Sequence, residues 1–216
     1  CGGLGGHVAA LLARSGVGSF VLCDPDTFDE SNLNRQIVAL RSTVGRAKVE
    51  VMAERIRDID PAIVVETRQC FFSEETADSF DFSAFSYVVD AIDTLSPKLA
   101  LIKGALDRSI PLVSSMGAGA KTDPTLLEIK DIAKTHHCPL AHMLRKRLHK
   151  IGIKRGFWAV FSPEPVREGA MILCEEQNKK SNVGTISYIP ALFGIGCASV
   201  VVRDLIGELN NETKTE

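Results

Sequence analysis

The run Cys1-Gly2-Gly3-Leu4-Gly5-Gly6, passing straight into the apolar pattern Val8-Ala9-Ala10-Leu11-Leu12-Ala13, constrains this chain more than any other stretch. Glycines crowd the point where a strand should give way to a helix. Without Cβ atoms a backbone can come close to a phosphate, and the N–H groups of the helix's first turn supply donors and partial positive charge. About twenty residues on, the spacing this motif asks for, the apolar run Phe20-Val21-Leu22-Cys23 ends in Asp24, placed to accept from a ribose hydroxyl. This is half of a nucleotide-binding βαβ unit. The strand before the glycines and the first motif glycine do not stand in the sequence, and Cys1 is not an initiator Met, so the expectation is a chain cut inside its own signature.

The chain in order predicts a helix over 5–15, a strand over 19–23 and a long polar loop from Asp24 to Gln36. Loops of that kind at the carboxyl end of parallel strands carry ligand-contacting groups. A helix follows over 44–59, then strands and helices alternate through 63–65, 73–79, 87–89, 97–108 and 111–115. That alternation specifies an α/β, Rossmann-like, mostly parallel sheet. After Gly117-Ala118-Gly119 the pattern changes, with a strand at 126–129 that need not be parallel, a basic amphipathic helix over 140–150 and a strand over 157–161. A polar loop over 162–184 and a hydrophobic helix over 188–208 complete the expectation of additional antiparallel strands in the C-terminal half.

At 45% hydrophobic content, 216 residues suffice for one large core, so 1–216 reads as a single nucleotide-binding domain. Its ATP-binding half is expected over 1–120 and a substrate and dimer half over 121–216. A net charge of −2 gives no global attraction to nucleic acid or anionic lipid. The six cysteines form no C-x-x-C pair, which favours neither zinc nor a disulfide framework and suits a reducing cytoplasm. The apolar run 189–202 holds Pro190, Gly194 and Gly196 and is too short to span a bilayer, so it reads as a buried helix and no integral membrane segment is expected. Residues ahead of Cys1 would decide organelle targeting, an anchor or peripheral membrane association.

Glycines alone leave open a plain tight turn. The chain adds Asn32, Arg35 and Gln36, followed by Lys48 in Val44-Gly45-Arg46-Ala47-Lys48. Two cations and two amides converging on the glycine turn suit a triphosphate better than a dinucleotide. Asp93 stands at the next strand's carboxyl end, where a carboxylate can hold Mg²⁺ between phosphate oxygens. Asp90 reads as readily as a helix-cap or turn carboxylate as it does as a functional one.

Gly2-Gly3-Leu4-Gly5, Asp24-x-Asp26, Ser31-Asn32-Leu33-Asn34-Arg35-Gln36, Gly45-Arg46-Ala47-Lys48 and Asp90-Ala91-Ile92-Asp93 come in the order and spacing of the ubiquitin-activating-type adenylyltransferases, which the chain resembles over 1–120. ThiF and MoeB are bacterial members. The resemblance implies adenylation of a carboxylate by Mg-ATP with release of pyrophosphate. It implies a nucleotide site of Gly2, Gly3, Gly5, Asp24, Asp26, Asn32, Arg35, Gln36, Lys48 and Asp93. Arg35, Lys48 and Asp93 would act in catalysis, and Asp93 would hold the metal. It also implies a homodimer, with an arginine near the partner's N-terminus completing the site.

The second half resembles one branch, the tRNA threonylcarbamoyladenosine dehydratases of the TcdA/CsdL group. The resemblance rests on Gly117-Ala118-Gly119, Asp123-Pro124-Thr125, Asp131-Ile132-Ala133-Lys134-Thr135, Pro139-Leu140-Ala141, Leu144-Arg145-Lys146-Arg147-Leu148, Val160-Phe161-Ser162-x-Glu164 and Gly184-Thr185-Ile186-Ser187-Tyr188-Ile189-Pro190. That branch activates the carboxylate of threonylcarbamoyladenosine beside the tRNA anticodon and closes it into a cyclic form. An internal nucleophile replaces the thiol, so no catalytic cysteine is required and no zinc is expected; some relatives are linked to sulfur-transfer partner proteins.

Cys138, between His137 and Pro139, and Cys174 are the candidate thiol nucleophiles if the chain instead activates a ubiquitin-like sulfur carrier. His136, His137 and His142 read as solvated or capping rather than metal-binding. Arg145, Lys146, Arg147 and Lys150, with Lys154 and Arg155, form the one credible nucleic-acid patch, against the plain alternative of a solvated helix face. Phe157 and Trp158 can stack a base or fill a strand. The rival readings are the sulfur-carrier adenylyltransferase, a non-catalytic module binding sulfur-transfer or tRNA partners, and, weakest, a dehydrogenase.

Overall fold

A computed structural model describes residues 1–165, 171–176 and 179–209, with side chains described for 1–165 and 184–209. Contacts divide the chain into two compact units, Cys1–Phe72 with the chain from Gly194 onward, and Ser73–Phe193.

In the first unit, α1 (Gly5–Arg14) buries Val8, Ala9, Ala10, Leu12 and Ala13. It stops where Gly16 takes φ 86°, with Gly16 N–H donating to Ala13 O and Val17 N–H to Leu12 O. This is the left-handed C-terminal cap that glycine adopts at low cost. β1 (Ser19–Cys23) pairs in parallel with β2 (Val64–Arg68), in the register Ser19 to Val64 and Cys23 to Arg68. α2 (Lys48–Ile59) joins them and packs Val49, Met52, Ala53 and Ile56 against Ala9, Ala13, Leu22, Phe28 and Val38.

The expected helix from Val44 begins instead at Lys48. Residues 41–46 are turns, with Gly45 at φ 84°, and the loop closes on itself first. Phe28 N–H donates to Arg46 O, Gly45 N–H to Phe28 O, and Lys48 N–H to Asp26 O. Those bonds outweigh the helical spacing of Val44 and Ala47.

The second unit holds a four-stranded sheet in the order β3 (Val88–Asp90), β4 (Leu112–Ser115), β6 (Trp158–Phe161), β5 (Glu128–Asp131). β3, β4 and β6 are parallel, and β5 runs antiparallel to β6, as expected of a strand free of the βα alternation. α3 (Leu95–Asp107) follows β3, and α4 (Pro139–Lys150) precedes β6.

The polar loop expected over 162–184 contains a hairpin of β7 (Met171–Glu176) and β8 (Lys179–Val183). Lys-Lys-Ser-Asn-Val carries no strand alternation, and among the described residues the two strands pair with each other. α5 (Tyr188–Leu205) is 18 residues long with a mean hydropathy of 1.4, enough by length and composition to cross a membrane. Half of it is buried, and Ile189, Phe193, Cys197, Val200 and Val201 are at most 2% exposed, which is the pattern of a core helix. Within the first unit Gly194 lets α5 lie against the start of α1. A Cβ there would stand 2.8 Å from His7 Cβ and 2.9 Å from Leu4 O.

Candidate active site

The glycine turn enters α1 through Leu4, and no side chain caps the helix. An uncapped N-terminus leaves backbone donors for an anion. Gly2, Gly3 and Gly5 have no positive φ, so their use here is the space a missing Cβ leaves. A Cβ on Gly2 would stand 3.7 Å from Gln36 Nε2, and one on Gly6 would be 3.3 Å from Cys1 O and 3.6 Å from Ile37 Cγ2. Segment 36–38 therefore lies directly on the turn. Gly6, which the sequence reading did not single out, permits that approach.

Gln36 is 6% exposed, and its Oε1 is buried without a partner. An orphaned amide beside a glycine cradle fits a polar ligand, since a buried polar group costs about 1–3 kcal/mol when unsatisfied. The amide can turn over to present its N–H₂ instead.

The acidic residues form a chain. Asp24 Oδ1 accepts from Asp26 N–H at 3.0 Å. Asp26 Oδ2 accepts from Lys48 Nζ at 2.7 Å, so the Lys48 side chain, 7% exposed, is held by a carboxylate at the surface. Asn32 serves the local turn, where its Oδ1 accepts from Asp29 N–H, while Arg35 Nη1 donates to Ser31 O and Asn34 Oδ1. At the end of β1, Cys23 and Cys70 sulfurs lie 3.9 Å apart, and burial together with the Cys70 thiol pushes Cys23 up to about 12.

In the second unit Asp90 ends β3 wholly buried, paired with Lys98 Nζ of α3 at 2.5 Å. Lys98 also donates to Ser114 Oγ and Ser115 O, Ser114 Oγ donates to Asp90 Oδ2, and Asp90 Oδ1 accepts from Ile92 N–H. Asp90 is thus both turn carboxylate and ion-pair partner. Lys98, missed in the sequence, was signalled only by its place inside an apolar helical stretch. Asp93 is exposed and directly follows Ile92, whose N–H donates to Asp90, in the turn before α3. One carboxylate fits Mg²⁺, which keeps several waters and takes one or two carboxylates plus phosphate oxygens. Among the described residues no cluster of three or more His, Cys, Asp or Glu could hold a metal.

Beyond β4, Glu164 gathers the loop after Gly117-Ala118-Gly119. Its carboxylate, 7% exposed, accepts from Thr122 N–H, Thr122 Oγ1–H and Asp123 N–H, while Lys121 Nζ donates to its carbonyl. Tyr188 hydroxyl donates to Thr122 O, and Ala120 at φ 56° donates its N–H to Gly184 O. Glu164 was visible only as part of a family motif.

α4 buries Ala141, Leu144 and Leu148 and exposes Lys146, Arg147 and Lys150, with Lys154 and Arg155 exposed beyond it. Arg145 is half-buried and donates to Thr135 Oγ1. Phe157 is buried and Trp158 half-buried in β6. Cys138 is 3% exposed at the N-cap of α4, whereas the side chain of Cys174 lies outside the described residues.

The sequence model of the ThiF family matches residues 1–216. The chain belongs to the ThiF family. Within that family it is 42% identical over 216 residues to the tRNA threonylcarbamoyladenosine dehydratase of Bacillus subtilis, covering 96% of this chain and 85% of that protein. It is 39% identical over 225 residues to the enzyme of the same name from Escherichia coli, covering 96% and 84%. The crystal structure of the Escherichia coli dehydratase TcdA in complex with ATP superposes with a TM-score of 0.86 at 36% identity, over 97% of this chain and 84% of that one. The ThiF fold expected from the motifs, a parallel sheet with added antiparallel strands, is the fold observed.

Proposed function

We propose that this chain carries out the ATP-dependent dehydration of threonylcarbamoyladenosine beside the anticodon of tRNA, through an acyl-adenylate of its carboxylate. The observation that carries this reading is the likeness over 97% of this chain, at a TM-score of 0.86, to a dehydratase structure holding ATP. The glycine turn, the orphaned Gln36 amide and the Asp26-held Lys48 support it chemically. In the first step the substrate carboxylate oxygen attacks the α-phosphorus and pyrophosphate leaves. In the second an internal nucleophile of the modified base attacks the activated carbonyl carbon and AMP leaves, carrying the carboxylate oxygen, so the nucleoside loses the elements of one water.

Asp24 accepts from the ribose; Gly2, Gly3 and Gly5 admit the phosphates, and Asn32, Arg35, Gln36 and Lys48 donate to them. Fixed cations aimed at charge that develops at phosphorus need no reorganisation during reaction. Asp93 would hold Mg²⁺, which would supply charge neutralisation for the triphosphate. Residues 1–120 carry the ATP half and 121–216 the substrate and dimer half of a homodimer. Lys146, Arg147 and Lys150 attract the tRNA backbone, with Arg145 buttressing the helix. The reaction belongs in the cytoplasm, with sulfur-transfer proteins as candidate partners.

The test uses the full-length protein with ATP, Mg²⁺ and tRNA bearing the modified base, followed by nucleoside mass spectrometry. The expected product is lighter by one water, requires ATP, and disappears in Arg35→Ala and Asp93→Ala. AMP formation only when a sulfur-carrier protein is added, lost in Cys138→Ala or Cys174→Ala, overturns the reading.

A further inference from the structure

We propose that the buried Asp90–Lys98 pair is a positioning device for the metal-holding carboxylate of Asp93, an inference that rests on the adenylating reading above. Asp90 and Lys98 have side chains at 0% exposure. Moving two charges out of water is expensive, and an apolar pair of the same volume is commonly as stable or more so. Stability is therefore a poor reason for a charged pair here. Its location supplies a better one.

The ammonium of Lys98 bonds Asp90 Oδ2, Ser114 Oγ at 3.2 Å and Ser115 O at 2.9 Å. Asp90 is the last residue of β3, Ser115 the last of β4, and Lys98 lies in the first turns of α3. One cluster thus ties two strand ends and a helix start together. The other Asp90 oxygen accepts from Ile92 N–H at 3.0 Å, which shapes the turn whose next residue is Asp93. Thr94 then enters α3 without a side-chain cap, so its own side chain does not set the angle of the turn. Asp93 is exposed on a short connection whose two ends are fixed by the same buried carboxylate, one directly and one through Lys98. Partners behind a metal ligand orient it, and their loss weakens metal binding without removing the ligand.

The experiment uses full-length Asp90→Asn/Lys98→Met, which removes both charges together and leaves no unpaired buried ion. Mn²⁺ binding is measured by electron paramagnetic resonance in the presence of a non-hydrolysable ATP analogue, beside thermal unfolding and metal-free binding of the analogue. The expected result is a folded variant that binds the analogue normally without metal, while Mn²⁺ affinity falls roughly 10- to 100-fold. Unchanged Mn²⁺ affinity in the folded variant overturns the proposal, even if the dehydration rate falls. Should the double variant fail to fold, Ser114→Ala keeps both charges paired and removes one tie; weaker Mn²⁺ binding supports the proposal and wild-type binding overturns it. Asp93→Ala separates the two readings. Wild-type Mn²⁺ binding there defeats the assignment of Asp93 itself, whereas lost binding with an unaffected double variant defeats only the positioning role.

Discussion

Lys48 opens α2 with its ammonium already fixed on Asp26 and its backbone N–H on Asp26 O, so one loop residue sets both the helix start and the direction of the cation. The sequence picked out Asp24 and Lys48, and the family resemblance Asp26, yet the linkage of Asp26 to Lys48 is a tertiary fact, since 22 residues separate them. Gln36 and Asn32 were equally visible as amides, but burial makes one an orphan and the other a turn fastener. Removing one charged donor aimed at a transition state costs about 10²–10³ in kcat. Lys48→Met should therefore lower kcat by roughly that factor, whereas Asp26→Asn should act mainly through KM for ATP by about tenfold, as a freed lysine samples other rotamers. Steady-state kinetics of ATP-dependent tRNA dehydration check both.

Among elements, the loop after β4 shows how one side chain governs a segment. Glu164, behind β6, collects N–H groups from Thr122 and Asp123. Burial alone would raise its pKa; the Asp123 and Thr122 N–H groups, the Thr122 hydroxyl and Lys121 prevail and hold it below the ordinary glutamate value. A carboxyl depressed in the folded state adds stability that is fully present above its unfolded pKa, about 4.3. That stability is lost as pH falls through the lower folded value. Urea midpoints taken from pH 6 down to about 3 should fall more steeply in the wild type than in Glu164→Gln. Equal slopes would mean that the carboxylate is not what holds the loop. The hairpin of β7 and β8 teaches the converse lesson, for its strands pair with each other and left no alternating pattern to read.

At the scale of the whole molecule, a net charge of −2 gives no global attraction to nucleic acid, so on the proposed reading tRNA must be drawn by a local patch such as the strip on α4. Lys146, Arg147 and Lys150 share the exposed side of α4, opposite Ala141, Leu144 and Leu148. Among the described residues none of the three is in an ion pair, whereas Arg145 is spent on Thr135. Each phosphate contact contributes about one unit to the slope of log affinity against log salt. Lys146→Ala/Arg147→Ala/Lys150→Ala should thus flatten that slope by about two to three units, leaving ATP binding unchanged. Filter binding of tRNA across a potassium chloride series measures it, and an unaltered slope would return the strip to a solvated helix face.

The sequence by itself determined the βα alternation, the glycine turn, the order of the acidic and basic motifs and hence the ThiF fold, because these depend on local periodicity and on residue types at short spacing. It also marked the antiparallel character of β5, where the alternation breaks. Only the tertiary structure decided which polar groups are buried and with whom. Lys98 reads as one more helix lysine until α3 is laid beside the ends of β3 and β4, and Glu164 reads as a loop acid until Thr122 and Asp123 are brought to it. Burial turns an ordinary charge into one that must find partners, and those partners lie far away along the chain.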